Sequence, residues 1–180
     1  MNLEELKDSL PDYARDLRLN LESVLSEGGA PGLDTKQIAL VALASAIAAR
    51  HAPLTEAIGE FAARNASAEE MDGVRAAAAI MGMNNIYYRF VHAVSEEEYA
   101  TLRASLRMNV MARPGCGKTT FELASLAVSA INGCAACMDS HEKTLRQHGL
   151  GAQAVQSAAR IAAVIHAVAV TLEQTDPIAN

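Results

Sequence analysis

The sequence predicts an all-α protein, and three observations carry that prediction. Of the 180 residues, 51% are hydrophobic but only 4% aromatic, with no Trp; the apolar content rests on Ala, Leu, Val, Ile and seven Met, which suits closely packed helices better than sheets. Apolar residues recur at helical spacing in successive segments, and no stretch alternates as a strand would. Helix-start signals, a residue that can cap followed three positions later by Glu or Gln, stand before several of those segments.

In chain order, Leu3, Leu6, Leu10, Leu17, Leu21, Val24 and Leu25 place helix over the first segment to about Ser26, with Pro11 allowing a break. GGAPGLD at 28–34 reads as a loop, after which Asp34 or Thr35 can cap a helix through IALVALASAIAAR. A shorter helix over residues 54–64 follows Pro53, and Ser67 with Glu70 opens MDGVRAAAAIMGMNNIYYRFVH. Ser95 starts another helix, SEEEYATLRASLRM, whose first turn holds three Glu where the helix dipole favours them. Beyond ARPGCGKT at 112–119 come FELASLAVSAI, then CAACMDSHEKTLRQHG, then an Ala-rich helix from Ala152 to about Glu173, with DPIAN as a frayed end.

TKQIALVALASAI at 35–47 aligns with TTFELASLAVSAI at 119–131, and VRAAAAI at 74–80 echoes VQSAARI at 155–161. This predicts one domain over residues 1–180 containing a duplicated helical unit, a degenerate copy at about 35–94 and a thiol-bearing copy at about 119–173. Only the second carries the paired cysteines, since Cys134 and Cys137 align with Arg50 and Pro53.

The formal net charge is −6, with 21 acidic and 15 basic residues, and the basic residues are scattered, which argues against nucleic acid or an anionic membrane surface as partner. MNLEELKDSL lacks the basic and apolar regions of a secretory signal, and the apolar run IAAVIHAVAV is short and interrupted by His166, so neither export nor a membrane span is expected. The expectation is a soluble cytoplasmic protein. In a reducing compartment a C-x-x-C points to redox or metal chemistry rather than to a structural disulfide.

Two stretches compete for the chemistry. ARPGCGKT satisfies the loosest phosphate-loop pattern, but such a loop joins a buried strand to a helix, and LRASLRMNVM before it continues a charged helix. No apolar strand ending in Asp is present to hold magnesium. The better reading is a turn through Pro114, Gly115 and Gly117 into a helix, with Thr119 and Glu122 as a capping box and Cys116 incidental; ATP is expected neither to bind nor to change activity.

The second stretch is NGCAACMDSHEK. Asn132 and Gly133 break a helix, which puts Cys134 at or near the start of the next, where free amides and the dipole stabilise a thiolate. Cys134, Cys137 and His141 then share one face, and an imidazole can take a thiol proton and return it to a leaving group. Asp139, Glu142 and Lys143 point elsewhere, as a solvated face. The cysteines could simply pack among alanines, or join His141 and His148 around zinc; with no second C-x-x-C to complete a tetrahedral set, a redox dithiol is the strongest of the three readings and no metal is expected.

FELASLAVSAINGCAACMDSHEKTLR and the earlier RAAAAIMGMNNIYYRF resemble the AhpD-type alkyl hydroperoxidases of the carboxymuconolactone decarboxylase-like superfamily, over nearly the whole chain. The combination E-x(11)-C-x-x-C-x-x-x-H carries the resemblance, and MNNIYYRF is more specific than C-x-x-C alone. The resemblance implies an all-helical homotrimer that reduces hydroperoxides and an AhpC-type peroxiredoxin, taking electrons from dihydrolipoamide on a lipoyl-carrier protein, with no bound cofactor. It makes Cys137 the peroxide-attacking thiol that becomes a sulfenic acid, Cys134 the proton donor that closes a Cys134–Cys137 disulfide, and Glu122 and His141 a proton relay. Some members have His between the two cysteines where this chain has Ala136. The alternatives are a redox adaptor without significant peroxide turnover and a lactone decarboxylase, which needs no dithiol.

Overall fold

The structure, a computed structural model, describes residues 1–175; the frayed end expected at DPIAN lies outside the described residues. Helices follow one another as α1 (Leu3–Ser9), a 3₁₀ turn (Asp12–Ala14), α2 (Arg15–Val24), α3 (Thr35–Ala49), α4 (Ala52–Ala63), α5 (Ala68–Ala93), α6 (Glu98–Thr101), a second 3₁₀ turn (Asn109–Ala112), α7 (Lys118–Ile131), α8 (Ala135–Gln147) and α9 (Ala152–Thr175). The predicted all-α class holds, with no strand among the described residues.

The hub is α3, which packs against α4, α5, α7 and α9. Every residue from Ile38 to Ala46 is buried, consistent with its being apolar on all sides rather than along a stripe. Its alanines let neighbouring helices approach closely, while larger side chains such as Phe121 and Leu123 of α7 fill the remaining space. Burying each of these contributes about 1.5–3 kcal/mol. The site described below is formed where α5, α7 and α8 meet, and α7 also packs on α3 and α9, so the central packing sets its position.

Several starts follow the predicted local chemistry. Asp34 and Gln37 form a reciprocal capping box at α3, as do Ser67 and Glu70 at α5. α4 begins earlier than expected, because Pro53 lies in its first turn, where a missing N–H costs nothing, and His51 Nδ1 accepts from the Leu54 amide at 3.2 Å.

The helix expected over SEEEYATLRASLRM is not there. Only Glu98–Thr101 is helical, and the chain then runs irregularly to Met108, with Ser105 at φ 52°. No residue from Ser95 to Met108 is buried, so first-turn glutamates are left to support a helix that has no packed face, and packing supplies most helical stability.

α9 departs from expectation in another way. Ala152–Gln174 is long and apolar enough to cross a membrane, with a mean hydropathy of 1.5, because the helix continues on both sides of the run that His166 interrupts. Its most apolar window is 56% buried, and the helix packs against α2, α3 and α7, as a core helix does.

Lys36 on α3 reaches Glu70 on α5 at 2.7 Å. That hydrogen bond, followed by the one from the Ser67 amide, holds the Glu70 carboxyl down at about 2 from an ordinary 4.5. A depressed carboxyl stabilises the fold above its unfolded value, and that contribution is lost as pH falls through the folded value. Melting temperature is therefore expected to drop between pH 4.5 and about 2, and Glu70→Gln should flatten that part of the profile; equal slopes for both proteins would show the pair to be irrelevant.

Candidate active site

α7 begins at Lys118, after a turn in which the Gly117 amide donates to the Pro114 carbonyl at 3.1 Å. Gly117 is the N-cap at φ 78°, a conformation that favours glycine. What precedes the turn is the 3₁₀ segment Asn109–Ala112, so the strand a phosphate loop requires is missing here too.

The expected Thr119–Glu122 capping box does not form, and α7 has no side-chain cap. Its helix starts one residue before Thr119, which leaves Glu122 two positions past the place from which a carboxylate can reach back to the N-cap. Glu122 instead turns towards α8, and its Oε2 lies 2.7 Å from His141 Nδ1 with both side chains largely covered. An ionised carboxylate can only accept, so Nδ1 carries the proton of this bond. The other ring nitrogen, Nε2, faces Met81 Sδ at 3.2 Å.

The other end of α7 builds the thiol site. Asn132 is its C-cap and Gly133, at φ 69°, turns the chain; the Gly133 amide donates to the Ala130 carbonyl at 3.2 Å and the Cys134 amide to that of Ser129 at 3.0 Å. This is a Schellman closure, whose last residue is also the N-cap of α8. Cys134 thus stands at the helix start, as predicted, and Cys137 lies one turn in. The two sulfurs are joined as a disulfide, with Cα atoms 5.3 Å apart.

Cys134 is 1% exposed, Cys137 7% and His141 7%. Cys137 and His141 line a cavity of about 450 Å³ together with Met81, Asn84, Tyr88 and Met108, and Cys134 is not among its walls. A larger cavity of about 990 Å³ lies over α3, α4 and α5, but it holds neither thiol nor imidazole. The smaller cavity is where the reactive groups converge.

The remaining candidates lie outside this cluster. His148 is exposed at the C-cap of α8, and among the described residues no group of three or more His, Cys, Asp or Glu could hold a metal. Asp139 and Lys143 pair with each other at 2.7 Å on the exposed face, and Glu142 lies 3.9 Å from Arg146.

Cys116 is packed against Gly73 of α5, so closely that a Cβ at Gly73 would stand 2.8 Å from its sulfur. Burial pushes this thiol up to about 11, which keeps it protonated and unreactive at neutral pH. In the reduced, folded protein iodoacetamide should modify Cys137, which lines the cavity, well before Cys116, whose labelling should await unfolding. Early labelling of Cys116 would contradict its burial.

Sequence reasoning missed four side chains of α5. Met81 meets His141; Asn84 lines the cavity, donating to Met108 Sδ at 3.1 Å while its Oδ1 finds no partner among the described residues; Asn85 and Arg89 bond to the end of α7. A signal existed: positions 81, 84, 85 and 88 share one helix face, and MNNIYYRF stood out with no role attached to it.

Residues 97–176 match the Carboxymuconolactone decarboxylase family. Over 173 residues the chain is 54% identical to the alkyl hydroperoxide reductase AhpD of Gluconacetobacter diazotrophicus, covering 96% of this chain and 93% of that one. The proteins of the same name from a Bradyrhizobium species and from Rhodopseudomonas palustris are 47% and 51% identical, each over 96% of this chain and 94% of theirs. The chain belongs to the AhpD family of alkyl hydroperoxide reductases.

Proposed function

We propose that this protein reduces alkyl hydroperoxides with the Cys134–Cys137 pair and is re-reduced by dihydrolipoamide on a lipoyl-carrier protein. The observation that carries the reading is that Cys137, and not Cys134, lines the cavity with an imidazole whose Nδ1 is held by a half-buried carboxylate.

In the dithiol state, the Cys137 thiolate attacks the terminal oxygen of the hydroperoxide. The O–O bond breaks, the sulfur becomes a sulfenic acid, and the alkoxide leaves as an alcohol after taking a proton. Glu122 keeps the Nδ1 proton of His141 in place, which leaves Nε2 to receive the thiol proton and hand it to the leaving oxygen. Cys134 then attacks the sulfenic sulfur, the disulfide forms and water departs. An external dithiol attacks the disulfide, passes through a mixed disulfide and leaves as its own disulfide, restoring both thiols. The cycle needs no bound cofactor.

The same exchange would let the dithiol reduce the disulfide of an AhpC-type peroxiredoxin. A homotrimer in a reducing cytoplasm completes the proposal, on the strength of the family. With Ala136 between the cysteines, His141 is the imidazole that α8 contributes to the cavity, and His92 of α5 lines it as well.

Consumption of cumene hydroperoxide, driven by a lipoylated carrier and measured with and without a peroxiredoxin, tests this reading. Turnover is expected in both assays. Turnover only with the peroxiredoxin would make the protein a redox adaptor, and turnover in neither would overturn the proposal.

A further inference from the structure

We infer that Asn85 is a positioning residue for the dithiol, clamping the turn that carries Cys134. The inference rests on the proposed function only in taking Cys134 and Cys137 to cycle between dithiol and disulfide.

Asn85 lies in the second half of α5, is fully buried, and reaches the end of α7 with both ends of its amide. Its Nδ2 donates to Ser129 Oγ at 2.9 Å, and its Oδ1 accepts from Asn132 Nδ2 at 3.0 Å. One turn further along α5, Arg89 Nη1 donates to the Asn132 carbonyl at 2.7 Å. Ser129 is the first residue of the Schellman closure and Asn132 the C-cap within it, and Cys134 closes it by donating its amide to the Ser129 carbonyl. One side chain from a neighbouring helix therefore holds both the start of the turn and its C-cap, two residues before Cys134.

The chemistry requires a carboxamide. It donates and accepts at once, whereas aspartate can only accept and leucine can do neither. The same helix also reaches the other half of the site, since Met81 Sδ faces His141 Nε2. MNNIYYRF thereby acquires a role, because the amide of its second asparagine holds the break that precedes C-x-x-C.

Cys137 is carried by the body of α8, but Cys134 is held by the turn. A loosened turn lowers the effective concentration of one thiol at the other, which favours the open dithiol. A purely structural role in the core would lower the melting temperature without moving that balance.

The test equilibrates the full chain in dithiothreitol redox buffers without hydroperoxide and reads the disulfide fraction by alkylation and mass. Asn85→Leu, of similar volume, and Asn132→Ala, at a half-buried position, are each expected to shift the equilibrium towards dithiol by about tenfold, about 30 mV for this two-electron couple. Because one bond joins them, the double variant should shift little beyond the larger single effect. An unchanged equilibrium in the folded variants overturns the inference whatever their melting temperatures, and Asn132→Ala decides alone if Asn85→Leu does not fold. A wild-type disulfide that dithiothreitol cannot reduce would overturn the dithiol reading of the site itself, and this inference with it.

Discussion

Cys137→Ser is expected to lower hydroperoxide turnover by about a thousandfold or more, because it removes the nucleophile and leaves only binding and the polar surroundings. Cys134→Ser should behave differently. With the attacking thiol intact, the first step proceeds once, one equivalent of alcohol is released per site, and a sulfenic acid persists on Cys137. Dimedone trapping after brief peroxide exposure, followed by peptide mapping, measures this. The asymmetry follows from the cavity, which has Cys137 in its wall and not Cys134. Adduct on Cys134 or Cys116 with Cys137 unmodified would reject the assignment.

Glu122→Gln is expected to slow turnover by about a hundredfold or more, the usual scale for losing a positioned proton-transfer pair. Glutamine can still accept from His141 Nδ1, so the geometry survives while the carboxylate of the proposed relay disappears. Because Glu122 caps nothing in this structure, the melting temperature should change little. A large fall in melting temperature with unchanged turnover would return this carboxylate to a structural role. The pH profile separates the cases further, since loss of a relay alters the pH dependence of kcat and loss of a packed carboxylate does not.

The two predictions differ in how much of their basis could be read from the chain. The shared face of Cys134, Cys137 and His141 needs only the helix period and the N-G break, and both are local. The partnership of Glu122 with His141 joins α7 to α8, and its residues suit a capping box equally well on paper. The start of α7 at Lys118 decided against the cap, and that start depends on the Pro114–Gly117 turn, which is seated between α5 and α7 through contacts such as Cys116 on Gly73. SEEEYATLRASLRM shows the same limit from the other side: its local signals favour a helix, but none of its residues is buried.

By itself the sequence determined the helical class, most helix starts, and the placing of a reactive pair just after a helix break, because capping, periodicity and Gly conformations act within a few residues. The tertiary structure decided which sulfur lines the cavity, that Glu122 meets His141, as the family resemblance implied, instead of capping α7, and that Met81, Asn84 and Asn85 lie against the same groups. Those choices depend on which faces of α5, α7 and α8 are pressed together, a matter of interhelical packing that a single helix's pattern does not contain.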